Sequence, residues 1–294
     1  MTFGNKRVLV TGATGLIGKE LALPLKQAGF DIYAITIDEN NPDNGVHWLK
    51  GNLFDRAFVQ KCMEEVKPAY LLNMAWATTG DYLKSNINYS FLSAGINLIQ
   101  EFAKNGGKRA VFAGTCFEYL FKDSPLKETD ALDVNKTIYT FCKNHLHEVA
   151  ERFCRDNGIS FGYGRIFYVY GRNEDKTRLT GMIIDKLSRD EEVIIKSGAL
   201  KKDYIYAKDI AGAFTALLDS DVEGSVNICT SKAISIHDYA LTLAKKLGKE
   251  NLVQFKDEPS NQPPVIVGDN SRLTKDVGYQ LQYDLQSAIQ EILE

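Results

Sequence analysis

The chain of 294 residues lacks the cysteine pattern of a disulfide-bonded or metal-binding protein. Its cysteines are odd in number and are never spaced as C-x-x-C, which is typical of proteins in a reducing compartment. We therefore expect free thiols, a cytoplasmic location and no metal site. None of the four histidines is spaced as a metal ligand beside acidic residues, so we interpret them as surface or packing residues. The cysteines are Cys62, Cys116, Cys142, Cys154 and Cys229.

Long apolar runs and an excess of positive charge are also missing. No segment approaches the roughly 20 apolar residues that a membrane-spanning helix needs. The net charge is −3, which gives no basic surface for nucleic acid. A strand-like segment begins at Val8, so we expect no signal peptide before it. Neither nucleic acid nor a membrane is expected among the partners.

The first half of the chain alternates short apolar segments with amphipathic ones. This alternation predicts parallel β-α-β units and an α/β fold with a Rossmann-type, doubly wound sheet. The predicted strands are residues 8–10, 31–36, 47–50, 70–74, 110–113 and 160–169. The predicted helices are residues 16–27, 57–66, 85–104 and 138–156.

The pattern becomes less regular after Gly171. We predict a helix at residues 179–188, a strand at 192–196, a return to the sheet at 202–218 and 225–229, a helix at 236–247, a linker at 258–264 and a terminal helix at 285–293. The length allows two domains. The predicted domain that contains the doubly wound sheet comprises residues 1–171 and 202–229. A smaller, discontinuous C-terminal domain comprises residues 172–201 and 230–294.

A glycine-rich segment, TGATGLIG, lies between the first predicted strand and the first helix. Gly12 permits a tight turn, Gly15 lets the backbone approach a pyrophosphate, and Gly18 lets the helix pack closely on the strand. The N–H groups at the start of the helix then face the phosphates. The sequence therefore predicts a nicotinamide dinucleotide, NAD(P)(H), bound by Gly12, Thr14, Gly15, Leu16, Ile17 and Gly18.

The residues after the second strand favour NAD(H) over NADP(H). No lysine or arginine occurs between Lys26 and Lys50, so no local cation is available for a 2′-phosphate. Asp38 can instead accept a hydrogen bond from a ribose 2′-hydroxyl. The preference is weak, because Lys6 or Lys19 can still reach a phosphate.

Tyr139 and Lys143 are four residues apart in a predicted helix, which places them on one face. A nearby ammonium favours the phenolate, so we expect Lys143 to lower the pKa of Tyr139. Tyr139 is then a candidate to exchange a proton with a carbonyl or an alcohol near neutral pH.

Taken together, these motifs resemble the extended short-chain dehydrogenase/reductase family over essentially the whole chain. Residues 11–18 are similar to its TGxxGxxG motif, 51–55 (GNLFD) to GDLxD, and 73–76 (NMAW) to HxAA. Residues 114–119 (GTCFEY) resemble SSxxxYG, 165–171 (RIFYVYG) resemble RxFNVYG, and 202–206 (KDYIY) resemble RDYVH. Asn88 matches the helix asparagine of the family.

This resemblance implies a nicotinamide cofactor, a nucleotide-diphosphate sugar as substrate, and cofactor contacts at Asn52, Leu53 and Ala75. It also implies a catalytic set. Lys143 would hold the nicotinamide ribose, Tyr139 would transfer the proton and Thr115 would orient the sugar oxygen. The substrate contacts implied are Thr78, Thr115, Tyr168, Arg178 and Lys202, with Arg178 and Lys202 alternatively plain surface bases.

Departures from the family pattern narrow the reaction. Dehydratases of the family carry acidic residues just after the strand-five hydroxyl, where this chain has Cys116 and Phe117. Elimination is therefore disfavoured, and Glu118 is expected to make a structural hydrogen bond. The motifs look most like those of deoxysugar 4-ketoreductases. A 4-epimerase that retains NAD is the alternative, and a non-catalytic dinucleotide sensor is a third.

Relatives commonly form a homodimer through the two long helices, and we expect the same here. Leu98 and Phe102 are compatible with such an interface, and equally with burial on the sheet. Trp76 either contributes to the cleft or simply packs.

Overall fold

The structure, a computed structural model, describes residue 4 and residues 6–256, 258–260 and 262–294. Residues 1–3 and 5, on which the signal-peptide prediction partly depends, lie outside the described residues, as does residue 261 of the predicted linker. Within the described ranges, no helix has both the length and the apolar character needed to cross a membrane.

The helices and strands follow the predicted alternation. The strands are β1 Arg7–Thr11, β2 Asp31–Thr36, β3 His47–Lys50, β4 Tyr70–Asn73, β5 Arg109–Thr115, β6 Ser160–Ile166, β7 Tyr168–Tyr170, β8 Val193–Ile195, β9 Lys201–Tyr206, β10 Gly224–Ile228, β11 Ala233–Ser235, β12 Val253–Phe255 and β13 Val265–Ile266. The α-helices are α1 Ala22–Gln27, α2 Arg56–Val66, α3 Ile87–Lys104, α4 Ile138–Asp156, α5 Leu179–Ser188, α6 Ala207–Asp219, α7 Ile236–Leu247 and α8 Leu285–Leu293. Short helical turns occur at Gly18–Glu20, Cys116–Glu118, Glu250–Leu252 and Arg272–Asp276.

Seven parallel strands form the main sheet in the order β3-β2-β1-β4-β5-β6-β10. The chain moves outward in one direction through β1, β2 and β3, and in the other through β4, β5 and β6. The order therefore reverses between β1 and β4, and in open sheets of this kind a crevice forms there at the carboxyl ends of the strands. The predicted Rossmann-type α/β class is confirmed.

Helices cover both faces of the main sheet because successive strand side chains point to opposite sides. Val8 and Val10 pack into a core shared with α1 and α6. Leu9 packs into the opposite core, which α2, α3 and α4 complete. Leu98 and Phe102 of α3 are fully buried in this second core. Of the two roles considered for this pair, burial on the sheet is the one found.

A second layer of structure lies beyond the carboxyl ends of the main sheet. Strand β9 pairs with β7, β11 and β13, while β8 pairs with β12. Helices α5, α7 and α8 supply the core of this part. The predicted return of residues 202–218 to the main sheet is therefore wrong in part. Residues 201–206 join this smaller sheet, and only α6 from that segment covers the main sheet.

The predicted strand at residues 160–169 is also two strands. Phe167 donates its N–H to Ile228 O, and its ring is buried with Cys229 and Ile266. The following residues, β7, leave the main sheet and pair in parallel with β9. The apolar pattern is continuous across this point, so the change of sheet is decided by tertiary contacts.

The predicted helix at residues 16–27 is interrupted. A 3₁₀ turn at Gly18–Glu20 precedes α1, which begins only at Ala22. Pro24 has no N–H for the bond that a continuous helix would make there, but it is tolerated in the first turn of a new helix.

Candidate active site

A cleft opens where the order of the main sheet reverses. It lies among the glycine-rich turn after β1, the loop after β4, the end of β5, the first turns of α4 and strand β7. Its empty volume is about 1150 Å³, counting the part open to solvent. The predicted site residues that line it are Gly12, Gly15, Leu16, Ile17, Gly18, Ala75, Thr78, Thr115, Tyr139, Lys143, Tyr168 and Arg178.

The glycine-rich turn has no space for side chains at two of its three glycines. Gly12 has a φ of +73°, and a Cβ there would lie 2.7 Å from Ala75 N. A Cβ on Gly18 would clash with Gly12 O. Gly15 is different, because it is exposed and a Cβ would meet only Gly12 O, at 3.3 Å. The turn therefore leaves its backbone open at Gly15, as close approach of a pyrophosphate requires.

Thr11 connects the glycine-rich turn to the loop after β4. Its Oγ1 donates to Asn73 Oδ1 at 2.6 Å and accepts from Ala75 N at 3.2 Å. Asn73 stands where the family pattern has histidine, and this hydrogen bond gives the substitution a structural role. The glycine-rich turn and the loop after β4 are thereby held at a fixed separation.

Helix α4 brings Tyr139 and Lys143 into the cleft. Thr137 caps the helix by accepting from Thr140 N at 3.1 Å, so the helix begins just before the tyrosine. Tyr139 and Thr115 line the same cleft, and Thr115 lies close enough to the Tyr139 hydroxyl to influence its pKa. Lys143 Nζ donates to Ala113 O at 2.7 Å. The three predicted catalytic side chains therefore lie together at the end of β5.

Burial controls the charge of this group. Burial raises the pKa of Tyr139 well above its usual range, with Tyr82 acting in the same direction and Thr115 in the opposite one. It lowers the pKa of Lys143 to about 7, against the opposing effect of the Glu118 carboxylate. The expected depression of the Tyr139 pKa by Lys143 is not found, because desolvation dominates and the Lys143 ammonium is hydrogen-bonded to Ala113 O.

A buried ion pair supports the end of β5. Glu118 Oε1 accepts from Thr115 N and from the Tyr163 hydroxyl, each at 2.8 Å. Its Oε2 accepts from Arg165 Nε at 2.9 Å. Glu118 is fully buried and Arg165 nearly so. The predicted structural hydrogen bond of Glu118 is confirmed, and it fixes the backbone that carries Thr115.

Comparison with known proteins identifies the family. The model of the NAD dependent epimerase/dehydratase family matches residues 8–229. The chain belongs to this family. The extended short-chain dehydrogenase/reductase membership indicated by the motifs is thereby confirmed, and the chain is an NAD-dependent enzyme of the epimerase/dehydratase type.

Two curated relatives of the family align over nearly their whole length. CDP-abequose synthase of Salmonella typhimurium is 24% identical over 309 residues, covering 100% of this chain and 99% of that protein. The dTDP-4-dehydro-6-deoxyglucose reductase of Escherichia coli is 25% identical over 312 residues, covering 98% and 96%. The crystal structure of UDP-glucose 4-epimerase from Thermotoga maritima with UDP-glucose has a TM-score of 0.86 at 19% identity, covering 98% of this chain and 100% of that one. That likeness shows a shared fold.

Aromatic side chains form much of the remaining wall of this family member's cleft. Phe117 packs edge-on against Tyr168, with ring centroids 5.8 Å apart, and Tyr82 packs likewise against Tyr139 at 5.1 Å. Trp76 lines the same space. Sequence reasoning did not assign Tyr82 or Phe117 to the cleft. Their position in the loops after β4 and β5 was the available signal, since such loops form the site in these sheets.

Several predicted site residues are not brought into the cleft. Thr14 and Asp38 line a neighbouring cavity, together with Lys19. Asn52 is exposed and accepts from Phe54 N within its own turn, and Leu53 lines a separate surface pocket. These positions therefore lie outside the cleft itself.

Lys202 lies behind the aromatic wall. It is 1% exposed, its Nζ donates to Pro263 O at 3.4 Å, and it lies 5.4 Å from the centroid of the Tyr168 ring. Burial lowers its pKa to about 8. Arg178 is placed differently, since it lines the cleft, pairs with Glu174 at 3.0 Å and donates to Thr78 O at 3.3 Å.

Proposed function

We propose that the protein is an NAD(P)-dependent reductase of a nucleotide-diphosphate sugar, which reduces a 4-keto-6-deoxysugar with Tyr139 as the proton donor. The observation that carries this proposal is the meeting of Thr115, Tyr139 and Lys143 in the cleft that begins at the glycine-rich turn. The curated relatives that align over their full length include an enzyme named as a reductase of a 4-dehydro-6-deoxysugar nucleotide.

The residues present fit a dinucleotide. The open backbone at Gly15 and the following residues Leu16 and Ile17 would hold its phosphates, Ala75 would flank it, and Lys143 would hold the nicotinamide ribose. Asp38, Asn52 and Leu53 remain our candidates for the adenosine end. When bound, a reduced nicotinamide supplies the hydride that becomes the new C–H bond at C4.

Tyr139 completes the reduction by giving its hydroxyl proton to the sugar oxygen. The carbonyl carbon gains a hydride and its oxygen gains a proton, so the ketone becomes an alcohol. A tyrosine whose pKa is raised by burial stays protonated near neutral pH, so the proton to be given is present there. Thr115, which lines the same cleft as Tyr139, would orient the sugar oxygen.

The residues after Thr115 argue against one reaction of the family. Cys116 and Phe117 follow Thr115 in place of the acids that a dehydratase uses, so elimination is disfavoured. Thr78, Tyr168 and Arg178 are proposed substrate contacts, with Arg178 facing the diphosphate. Lys202 is a weaker candidate for the diphosphate, because it is buried behind Tyr168. In this proposal residues 172–201 and 230–294 form the substrate domain.

The alternative is a 4-epimerase that keeps NAD bound, since the same three side chains serve that reaction. Its specific support is the full-length fold likeness to a UDP-glucose 4-epimerase. Tyr168 weakens it, because it occupies the place where epimerases of the family often have a phosphate-binding asparagine.

The test is to supply 4-ketosugar nucleotides from a dehydratase and to follow the absorbance of NADH and NADPH. A reductase consumes reduced cofactor in proportion to ketosugar. Purified protein that carries NAD and interconverts 4-epimers without added cofactor would establish the epimerase instead. Cofactor binding without either reaction would instead support the third alternative, a non-catalytic dinucleotide sensor.

We predict tighter binding of NADH than of NADPH. Asp38 lies at the neighbouring cavity with no cation in its own segment, and Lys6 is engaged with Asp219 at 2.8 Å. Of the two lysines considered for a 2′-phosphate, Lys19 is the one that lines this cavity. Fluorescence titration with both reduced cofactors measures the preference, and tighter NADPH binding would reverse it.

We also infer a cytoplasmic homodimer formed through α3 and α4. Tyr89 on α3 is 50% exposed and Val149 on α4 is 41% exposed, so both helices present large apolar side chains to solvent. The five cysteines are all buried and unpaired, as in proteins of a reducing compartment. Solution scattering should give twice the chain mass, and a monomer mass would refute the dimer.

A further inference from the structure

We propose that Trp76 is a positioning residue that holds the Lys143 side chain in the cleft through a cation–π contact. The Nζ atom of Lys143 lies 4.0 Å from the centroid of the Trp76 ring. The contact itself is a property of the protein alone. Its consequence for turnover rests on the function proposed above.

The Lys143 ammonium has few other partners. The side chain is 4% exposed, and the hydrogen-bond acceptor found for Nζ in the described part of the chain is Ala113 O. An ammonium has three donors and is costly to bury when they are not satisfied. Tryptophan is the aromatic side chain that stabilises a cation best, and more strongly where water is excluded. The ring therefore offsets part of the cost of burying this charge.

Trp76 is itself held in place. Its Nε1 donates to Asn88 Oδ1 at 2.7 Å. Asn88 is fully buried, and its amide donates to Tyr82 O at 2.7 Å and to Ser85 O at 2.8 Å. Rotation of the indole would leave a buried amide oxygen without its donor. The ring also stacks on Phe91 with centroids 5.3 Å apart.

Contacts with both proposed catalytic residues distinguish Trp76 from a packing residue. Its ring meets Tyr139 edge-on at a centroid distance of 6.1 Å, besides its contact with Lys143. It occupies the last position of the segment NMAW, where the family pattern HxAA has a small alanine. An indole that bridges the phenol and the ammonium fixes their relative placement before any ligand arrives.

Other titratable groups also surround Lys143. Glu118, after β5, favours the ammonium. Tyr139 lies one turn earlier on α4, and the Tyr163 hydroxyl on β6 is 3.3 Å from Lys143 O. His147, one turn later, stacks on Tyr163 with centroids 3.9 Å apart. These groups are common to all the variants below that retain Lys143, so differences between those variants report on Trp76.

The first experiment uses fluorescence and needs no ligand. The chain has two tryptophans, so Trp48→Phe leaves Trp76 as the reporter. Its emission should change with pH around the Lys143 pKa of about 7, since an ammonium over the indole perturbs its excited state. The same titration in Trp48→Phe/Lys143→Met should show no such transition. A flat titration in the first protein, or an unchanged one in the second, overturns the proposal.

The second experiment measures ketosugar reduction against pH in the same Trp48→Phe background. Removing a ring that favours the ammonium lowers the Lys143 pKa, so the loss of kcat on the alkaline side should move to lower pH. The expected shift is about one pH unit for Trp76→Leu and less for Trp76→Phe, which keeps a weaker ring. KM for the ketosugar should change much less than kcat.

A merely structural Trp76 would lower activity at every pH without moving the profile, and that result overturns the proposal. If the unsubstituted protein reduces no ketosugar, the proposed function fails, and the fluorescence titration alone decides the contact. A transition that Lys143→Met removes then supports the positioning role.

Discussion

Replacing Tyr139 by phenylalanine is expected to slow reduction of a 4-ketosugar by about 10²–10⁴-fold, the usual contribution of a positioned general acid. The substitution removes only the hydroxyl, which lies near Thr115 in the cleft. The ring contacts with Tyr82 and Trp76 do not need the hydroxyl and should persist. Affinity for the reduced cofactor should therefore change little, since Lys143 and the glycine-rich turn are untouched.

The measurement is NAD(P)H absorbance under saturating ketosugar, with cofactor affinity measured separately by fluorescence. Tyr206→Phe is a matched control, because its buried hydroxyl has no hydrogen-bond partner among the described residues and does not line the cleft. Turnover of Tyr139→Phe near that of the control would mean that the proton comes from another group.

The fold was predictable where local periodicity decides it. Helices α4, α5, α7 and α8 have the bounds that the apolar pattern predicted, and so do strands β2 and β3. The switch of sheets after β6 was not predictable, since the apolar pattern runs through Phe167 without a break. The partner of β7 is β9, more than thirty residues away, and no local propensity encodes such a pairing.

The site was predictable to the extent that spacing fixes it. The glycine-rich turn and the four-residue separation of Tyr139 and Lys143 are local patterns, and the structure places both in one cleft. The pKa values of the site residues were less predictable, because desolvation depends on the whole tertiary environment. Burial therefore reversed the expected direction of the Tyr139 pKa shift. The same holds for Lys202, whose burial behind Tyr168 no motif reveals.

Replacing Arg165 by methionine is expected to destabilise the protein by about 3–5 kcal/mol, the usual cost of removing one partner of a buried ion pair. The change leaves the Glu118 carboxylate fully buried without its cation. It also removes the Arg165 donors to the Tyr119 hydroxyl and to Glu128 O, each at 3.2 Å. Unfolding in urea measures the loss as a lower midpoint. Arg152→Met is the matched control, since its partner Asp156 is exposed and exposed pairs contribute little.

The double variant Glu118→Gln/Arg165→Met separates the charge from the hydrogen bonds. Glutamine keeps an oxygen that can accept from Thr115 N and from the Tyr163 hydroxyl, but it carries no charge. If the unpaired carboxylate causes most of the loss, the double variant should be more stable than Arg165→Met alone, a non-additivity that neighbouring residues in one network show. If the double variant is instead less stable than each of the single variants, Glu118→Gln and Arg165→Met, the main role of Arg165 is its donation to Tyr119 and Glu128. The Glu118–Arg165 pair would then stabilise the packing of the residues around the end of β5, rather than set the charge near Lys143.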